Sequence, residues 1–508
     1  MIKNLLLIIV PLLFILCILG ETTPVSKKFN RKQIHVHGRP WHGMKPLLNL
    51  AEEDYENKGV ATAGFFVNKV DHFDSSNKAT FKQRYWYNKQ WYKQGGPIFL
   101  MLGGESAENP AWVERGDFEW TTLAKEHGAM VFLIEHRYYG NSRPTSDMET
   151  KNMKFLSSRQ AIEDAAAFIK GMNERFDYGN TTKWVVFGGS YSGALAGWAR
   201  QVHPELIYAA VGSSGPVQAV VDFYKYLDVV DHSLGFYSTQ CASDVKEGLE
   251  QVRELIKTSS GQEEVKTLFN LCSSWSDLSV DDIKYFWLSV IGNYMGVVQY
   301  NYDNVGDYRG DMTIDHICSY HLDKTTTPLQ HIGNVFQWFA QQYGGFCTDV
   351  NYDEYIQFLR QTSFGSGAAD DRSWTYQTCT EFGYYQSTDN DAASYWGDVM
   401  GVDWYVKQCV DIFGSPITNQ TVYSSITATN NYYGGATGFK GTRVILPNGN
   451  IDPWHALGVL SQTNSQNYPI IINGTAHCAD MYPSSSSDYA SLTDARQKIR
   501  KQMATILS

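Results

Sequence analysis

Apolar and polar residues alternate over positions 64–92, where Phe81, Tyr85, Trp86, Tyr87 and Trp91 fall, and the segment closes at Gly95-Gly96-Pro97. Alternation of that kind predicts antiparallel strands. Unbroken apolar runs follow at 98–102 and 130–134, each too short for a buried helix, with a helical segment through 123–127 between them. Over 157–176 the period lengthens to 3.6, which puts Ala161, Ile162, Ala165, Phe168, Ile169 and Met172 on one helical face. The run Trp184-Val185-Val186-Phe187 then precedes a helix over 194–202, and 209–216 reads as one more strand with its loop. Strand and helix in this succession predict an α/β protein, a parallel sheet with helices on both faces.

From 222 to 428 the pattern stops: helical stretches such as 244–257, many aromatics and six cysteines replace the β-α alternation. It returns with strands over 442–446 and 468–472 and a helix over 455–461 between them. The expected division is a sheet domain in two parts, 64–221 and 429–508, interrupted by a mainly helical, disulfide-bearing cap over 222–428. Residues 21–63 show no periodicity and are expected to form a loosely ordered arm or pro-region. Residues 1–20 carry Lys3 and an uncharged apolar run too short to span a bilayer, which reads as a secretory signal peptide.

The strand ending at Phe187 enters Gly188-Gly189-Ser190-Tyr191-Ser192-Gly193. A strand, a turn of small residues and a helix lift one side chain clear of a sheet, as in a nucleophile elbow, although Ser192 stands where that motif has its second glycine. Asp452 follows one late strand and His477 the next, giving the order Ser190, Asp452, His477, that of an α/β-hydrolase. A serine hydroxyl needs a base within reach and the base needs an orienting carboxylate, so these three are the candidate catalytic residues. The candidate oxyanion donors are the N–H of Tyr191 and one from the turn at Gly104 or Glu105. Glu105 and Trp454 are candidate substrate-binding residues; a bare turn role for Glu105 is the competing reading.

Composition narrows the class. The 508 residues are 43% hydrophobic and 14% aromatic, which excludes disorder, and the net charge of −11 argues against nucleic acid as a partner. No H-E-x-x-H or C-x-x-C spacing occurs, so no metal and no cofactor are expected, and the 434–441 glycine-rich stretch lacks the order of a phosphate loop. Six cysteines of an exported chain, Cys241, Cys272, Cys318, Cys347, Cys379 and Cys409, are expected in disulfides. Sequons at Asn180, Asn419 and Asn473 are candidate glycosylation sites. A secreted or lysosomal location follows, with no stable membrane insertion after signal removal.

The motifs Glu135-His136-Arg137-Tyr138-Tyr139-Gly140, Phe155-Leu156-Ser157-Ser158-Arg159, the Ser190 turn, Cys379-Thr380-Glu381-Phe382-Gly383 and Asn448-Gly449-Asn450-Ile451-Asp452-Pro453-Trp454 resemble the serine peptidase family that contains lysosomal Pro-Xaa carboxypeptidase, dipeptidyl peptidase II and thymus-specific serine protease. The likeness is greatest to the thymus-specific branch. It implies a triad of Ser190, Asp452 and His477, a helical cap, and serine-type exopeptidase activity on short peptides, often after proline. It also implies the pairs Cys241–Cys318, Cys272–Cys347 and Cys379–Cys409, leaving Cys478 as the single free thiol, packed behind the histidine loop in a polar, glycine-containing stretch that would keep it accessible. The expected partners are a peptide substrate and, optionally, a second copy of the chain. An esterase or lipase on the same triad and a non-catalytic binding protein on the same fold are the alternatives.

Overall fold

Eight strands form one sheet, and its order follows from where apolar residues are dense enough to be buried on both faces. The computed structural model describes residues 35–36, 39–40, 60–179, 181–302, 313–342, 347–389 and 395–508. The strands β1 (Thr62–Lys69), β2 (Thr80–Asn88), β3 (Ile98–Leu102), β4 (Met130–Ile134), β5 (Trp184–Gly189), β6 (Ile207–Ser213), β9 (Val444–Gly449) and β10 (Asn467–Ile472) lie in the order β10-β9-β6-β5-β3-β4-β2-β1. The six from β10 to β4 are parallel, and β2 and β1 extend the edge antiparallel. This is the α/β-hydrolase sheet expected from the sequence. The continuous apolar runs of β3, β4 and β5 are wholly buried, whereas β1 alternates exposed and covered positions at the rim.

Helices α1 (Glu119–His127) and α10 (Ala490–Leu507) cover one face; α2 (Ser158–Phe176) and α3 (Tyr191–Val202) cover the other. In α2 the Ser157 hydroxyl caps the N-terminus by accepting from Gln160 N–H, and Ala161, Ile162, Ala165, Phe168, Ile169 and Met172 are all buried. The inserted region carries α4 (Lys225–Tyr237), α5 (Thr239–Leu255), α6 (Val280–Gln299), α7 (Ile314–His321), α8 (Pro328–Gln342) and α9 (Asn419–Tyr433) among its helices. It is not purely helical: β7 (Val220–Asp222) and β8 (Gly383–Tyr385) pair in parallel. The boundaries expected at 63/64, 221/222 and 428/429 each fall inside an element, β1, β7 and α9 respectively. Two-residue strands His35–Val36 and Arg39–Pro40 also pair in the arm to which the sequence assigns no structure. The signal segment 1–20 lies outside the described residues.

The cap shares its core with the sheet domain. Trp198 of α3 stacks on Tyr433 of α9 at 4.1 Å, and one buried cluster runs from Leu100 and Val186 through Tyr191 to Phe223, Phe382 and Trp454. Two of the motifs that carry the resemblance prove to be one contact across this boundary. The Glu381 carboxylate accepts from Ser158 N–H (3.0 and 2.9 Å) and Ser158 Oγ (2.7 Å), tying the cap to the start of α2. The disulfides formed are Cys241–Cys318, Cys272–Cys347 and Cys379–Cys409, all within the inserted region.

A third motif residue anchors the sheet rim. Arg137 is wholly buried and pairs with Asp164 of α2 through Nε and Nη2, both at 2.7 Å, while its other N–H groups reach the carbonyls of Lys69, Val70 and Phe155. His72 Nε2 lies 2.8 Å from the same carboxylate. Removing one partner of such a pair leaves a buried charge uncompensated. Arg137→Met is therefore expected to destabilise the protein by about 3–5 kcal/mol, read from urea unfolding followed by tryptophan fluorescence. A loss below about 1 kcal/mol, the worth of a surface pair, would show that Asp164 does not depend on Arg137.

Candidate active site

Ser190 sits between β5 and α3 with φ 58° and ψ −131°, a conformation that non-glycine residues rarely adopt. Such a residue costs about 1–3 kcal/mol and persists only where its surroundings over-determine it. Here Ser190 N–H donates to the carbonyl of Ser213 (2.9 Å), and the Ser190 carbonyl accepts from Gly193 and Ala194 N–H (2.9 and 3.1 Å). Ser192, the departure from the usual elbow glycine, braces the turn: its Oγ donates to Gly189 O (2.8 Å) and accepts from Gly189 N–H (3.1 Å). A Cβ on Gly188 would lie 2.0 Å from the Ser192 carbonyl, so the chain crosses itself only with glycine there.

Asp452 and His477 follow β9 and β10 on the same sheet edge. Both are fully buried, and His477 Nδ1 lies 2.8 Å from Asp452 Oδ2, while Oδ1 accepts from Trp454 N–H at 2.9 Å. The helix expected over 455–461 is instead a short 3₁₀ turn, Pro453–Leu457, which the carboxylate caps. Residues not singled out from the sequence bring the loops together. Ser213 O takes the Ser190 N–H, Ser214 Oγ accepts from Cys478 N–H (2.9 Å), and Ser214 N–H donates to Pro447 O (2.8 Å). Thus the end of β6 touches the Ser190 turn, the His477 loop and the strand that leads to Asp452. The cap adds one more hold: His477 N–H donates to the Gln299 carbonyl at the end of α6 (3.0 Å).

His477 Nε2 is buried and has no hydrogen-bond partner among the described residues, so Ser190 is not bonded to it in this arrangement. Nucleophile and base commonly close up only when substrate binds. Burial pulls the imidazole pKa down, but the Asp452 carboxylate outweighs it and holds His477 well above its ordinary value.

Tyr191 begins α3, where the first N–H groups have no intrahelical acceptor. Its ring is held by His136 Nε2 and Gln377 Nε2, both 3.0 Å from the hydroxyl, and Tyr139 Oη donates to Gln377 Oε1 (2.7 Å). The Glu135–Gly140 motif therefore positions the residue beside Ser190, a role its sequence alone does not disclose. Gly104 lies against Ser192 as expected, but its N–H donates to Glu108 Oε1 (3.2 Å), which leaves Glu105 as the other candidate N–H of that turn. Glu105 is buried and, with Glu108 and Gly189, lines a cavity of about 20 Å³ beside the elbow. A larger cleft of about 300 Å³ lies near Arg143 and Asp370 and includes none of the three candidates. Trp454 is also buried, packed between Phe223, Tyr384 and the His477 ring (6.4 Å), so it walls the base rather than offering a free surface.

Cys478 is unpaired and fully buried, 3.8 Å from Ser213 O, and burial pushes its thiol pKa up. The free thiol expected behind the histidine loop is there, but the access expected of it is corrected: the residue packs into the core on the face of α1 and α10. Of the sequons, Asn419 and Asn473 are exposed and Asn180 lies outside the described residues.

Two outcomes follow. The acid limb of the kcat/KM profile is expected to have its midpoint above the ordinary histidine pKa, since only neutral His477 accepts a proton, and Asp452→Asn is expected to move it down while cutting turnover about 10⁴-fold. A rate unchanged between pH 5 and 8 would contradict this placement of the base. Native protein treated with iodoacetamide is expected to keep Cys478 unmodified, with alkylation appearing only on unfolding; labelling in the native state would mean the loop opens.

The profile of the serine carboxypeptidase S28 family matches residues 68–499. A Caenorhabditis elegans chain provisionally named as a serine protease is 49% identical over 493 residues, 95% of this chain and 96% of that one. Human thymus-specific serine protease is 34% identical over 87% of this chain and 86% of its own length. Human lysosomal Pro-X carboxypeptidase is 27% identical over 85% of each.

Proposed function

The chain belongs to the serine carboxypeptidase S28 family of peptidases, and from that premise we propose that it removes residues from short peptides through Ser190, His477 and Asp452. The buried Asp452–His477 hydrogen bond, set on the sheet edge beside the strained serine, carries this reading. His477 Nε2 takes the Ser190 proton as Oγ attacks the scissile carbonyl. The N–H of Tyr191, with that of Glu105 as the second candidate, meets the oxyanion as charge develops there. Collapse expels the amine, which leaves with the proton from His477, and a water then hydrolyses the acyl-enzyme by the same relay. Asp452 holds the imidazole tautomer and offsets the charge of the imidazolium.

The full burial of Asp452 and His477 and the hold of the cap on the His477 backbone support limited access, and so action near a chain terminus. Glu105 beside the elbow suits a peptide amine, and the name of the lysosomal Pro-X relative supports a preference for proline; carboxypeptidase and dipeptidyl peptidase action differ in which end is held. Three disulfides and two exposed sequons support the secretory route, to a secreted or lysosomal destination. No described helix is long and apolar enough to cross a membrane.

Wild-type protein is expected to react with a fluorophosphonate probe and to release terminal fragments from a peptide library, identified by mass spectrometry. Ser190→Ala is expected to lose the label and at least about 10⁴-fold in turnover while folding normally. A variant that keeps its label would defeat the assignment of Ser190.

A further inference from the structure

The cap contains a cluster that the peptidase reading does not use. Asp244 of α5, His321 at the end of α7 and His331 of α8 are each buried, and one ligand atom from each lies within 4.8 Å of the others. Both imidazoles address the same carboxylate oxygen: His321 Nδ1 is 2.7 Å and His331 Nδ1 2.8 Å from Asp244 Oδ1. Among the described residues no lysine or arginine pairs with this carboxylate, and the two imidazoles are its ion-pair partners. His321 Nε2 meets Tyr294 Oη of α6 at 3.0 Å, whereas His331 Nε2 is buried without a hydrogen-bond partner among the described residues.

The three side chains are held by constraints that do not depend on the cluster itself. Cys241 and Cys318 are bonded one helical turn before Asp244 and His321, so the disulfide points both residues at the same place. Gly248, one turn past Asp244, lets α5 close on α8: a Cβ there would lie 2.5 Å from the Pro328 carbonyl and 2.5 Å from the Ile332 side chain. His331 stands on that approaching turn. Preformed ligands on rigid helices are what a metal site requires and what a chance pair of core histidines lacks.

We propose that Asp244, His321 and His331 bind one divalent transition-metal ion of the zinc type, stapling α5, α7 and α8. Two imidazoles and one carboxylate suit borderline ions such as Zn²⁺ and Co²⁺ better than Ca²⁺ or Mg²⁺, which favour all-oxygen sites. Binding needs no net loss of protons from neutral rings. Each histidine moves its proton from Nδ1 to Nε2, freeing the Nδ1 lone pair, and on His321 the new N–H faces Tyr294 Oη, the outer hydrogen bond that orients a metal-bound imidazole. The ion balances the Asp244 charge, and water completes its coordination. No spacing motif announces the site, because its ligands come from three helices and meet only when the cap is folded.

Full-length protein stripped with a chelator and dialysed is the material for the test. Titration with Co²⁺ is expected to give one equivalent bound, with the visible absorption of a four- or five-coordinate ion, and Zn²⁺ is expected to displace it and raise the thermal midpoint. His331→Gln and His321→Gln are each expected to weaken binding at least about 100-fold, since loss of an outer-shell partner alone costs 10–100-fold. His477→Ala is expected to bind as the wild type does, which separates this site from the peptidase centre. Absence of saturable binding, or binding by both glutamine variants as tight as that of the wild type, would overturn the proposal and leave a hydrogen-bonded cluster only.

Discussion

The backbone at Ser190 is the constraint to which the rest of the molecule answers. A serine with φ 58° is unfavourable in isolation, and the chain holds it there by glycine at 188 and 193, by the Ser192 brace and by the β6 carbonyl of Ser213. These holds require β5 and β6 to be adjacent and parallel, which in turn requires the crossover helix α3 between them. The same β6 end then receives the histidine loop and the strand that leads to Asp452. The sheet order and the site are one arrangement, seen at two scales.

Around that centre, short sequence motifs turn out to be joints. Arg137 fixes the rim strands to α2 through Asp164, His136 and Gln377 hold the Tyr191 ring, and Glu381 locks the cap to Ser158. Each is a buried polar group whose partners lie far away in the chain. Such groups lose more from a missing partner than apolar residues lose from imperfect packing. This explains why the recognisable motifs are polar while the core between them is ordinary aliphatic and aromatic filling.

How much was legible in advance follows from the same distinction. The strands from β3 to β6 and the face of α2 are local patterns, and they stand where periodicity puts them. Ser190, Asp452 and His477 were reachable because each follows a strand, and a parallel sheet brings strand ends to one edge. What eluded the sequence depends on contacts made at a distance. The burial of Cys478 comes from packing against a helix at the far end of the chain, the turn of Gly104 N–H toward Glu108 from loop closure, and the roles of Ser213, Ser214 and Gln299 from backbone groups that every residue carries. The raised imidazole pKa likewise needs the depth of Asp452, which no motif states.

The hydrogen bond from His477 N–H to the Gln299 carbonyl has one further consequence. The base proposed for the reaction hangs from two separately built parts of the protein, the strand before it and a helix of the cap. A weakness anywhere along α6, however remote from the serine, is transmitted to the imidazole through that single peptide group. If His477 is the base proposed here, a damaged cap and a disabled catalyst are the same lesion, told apart only by the assay used to look for it.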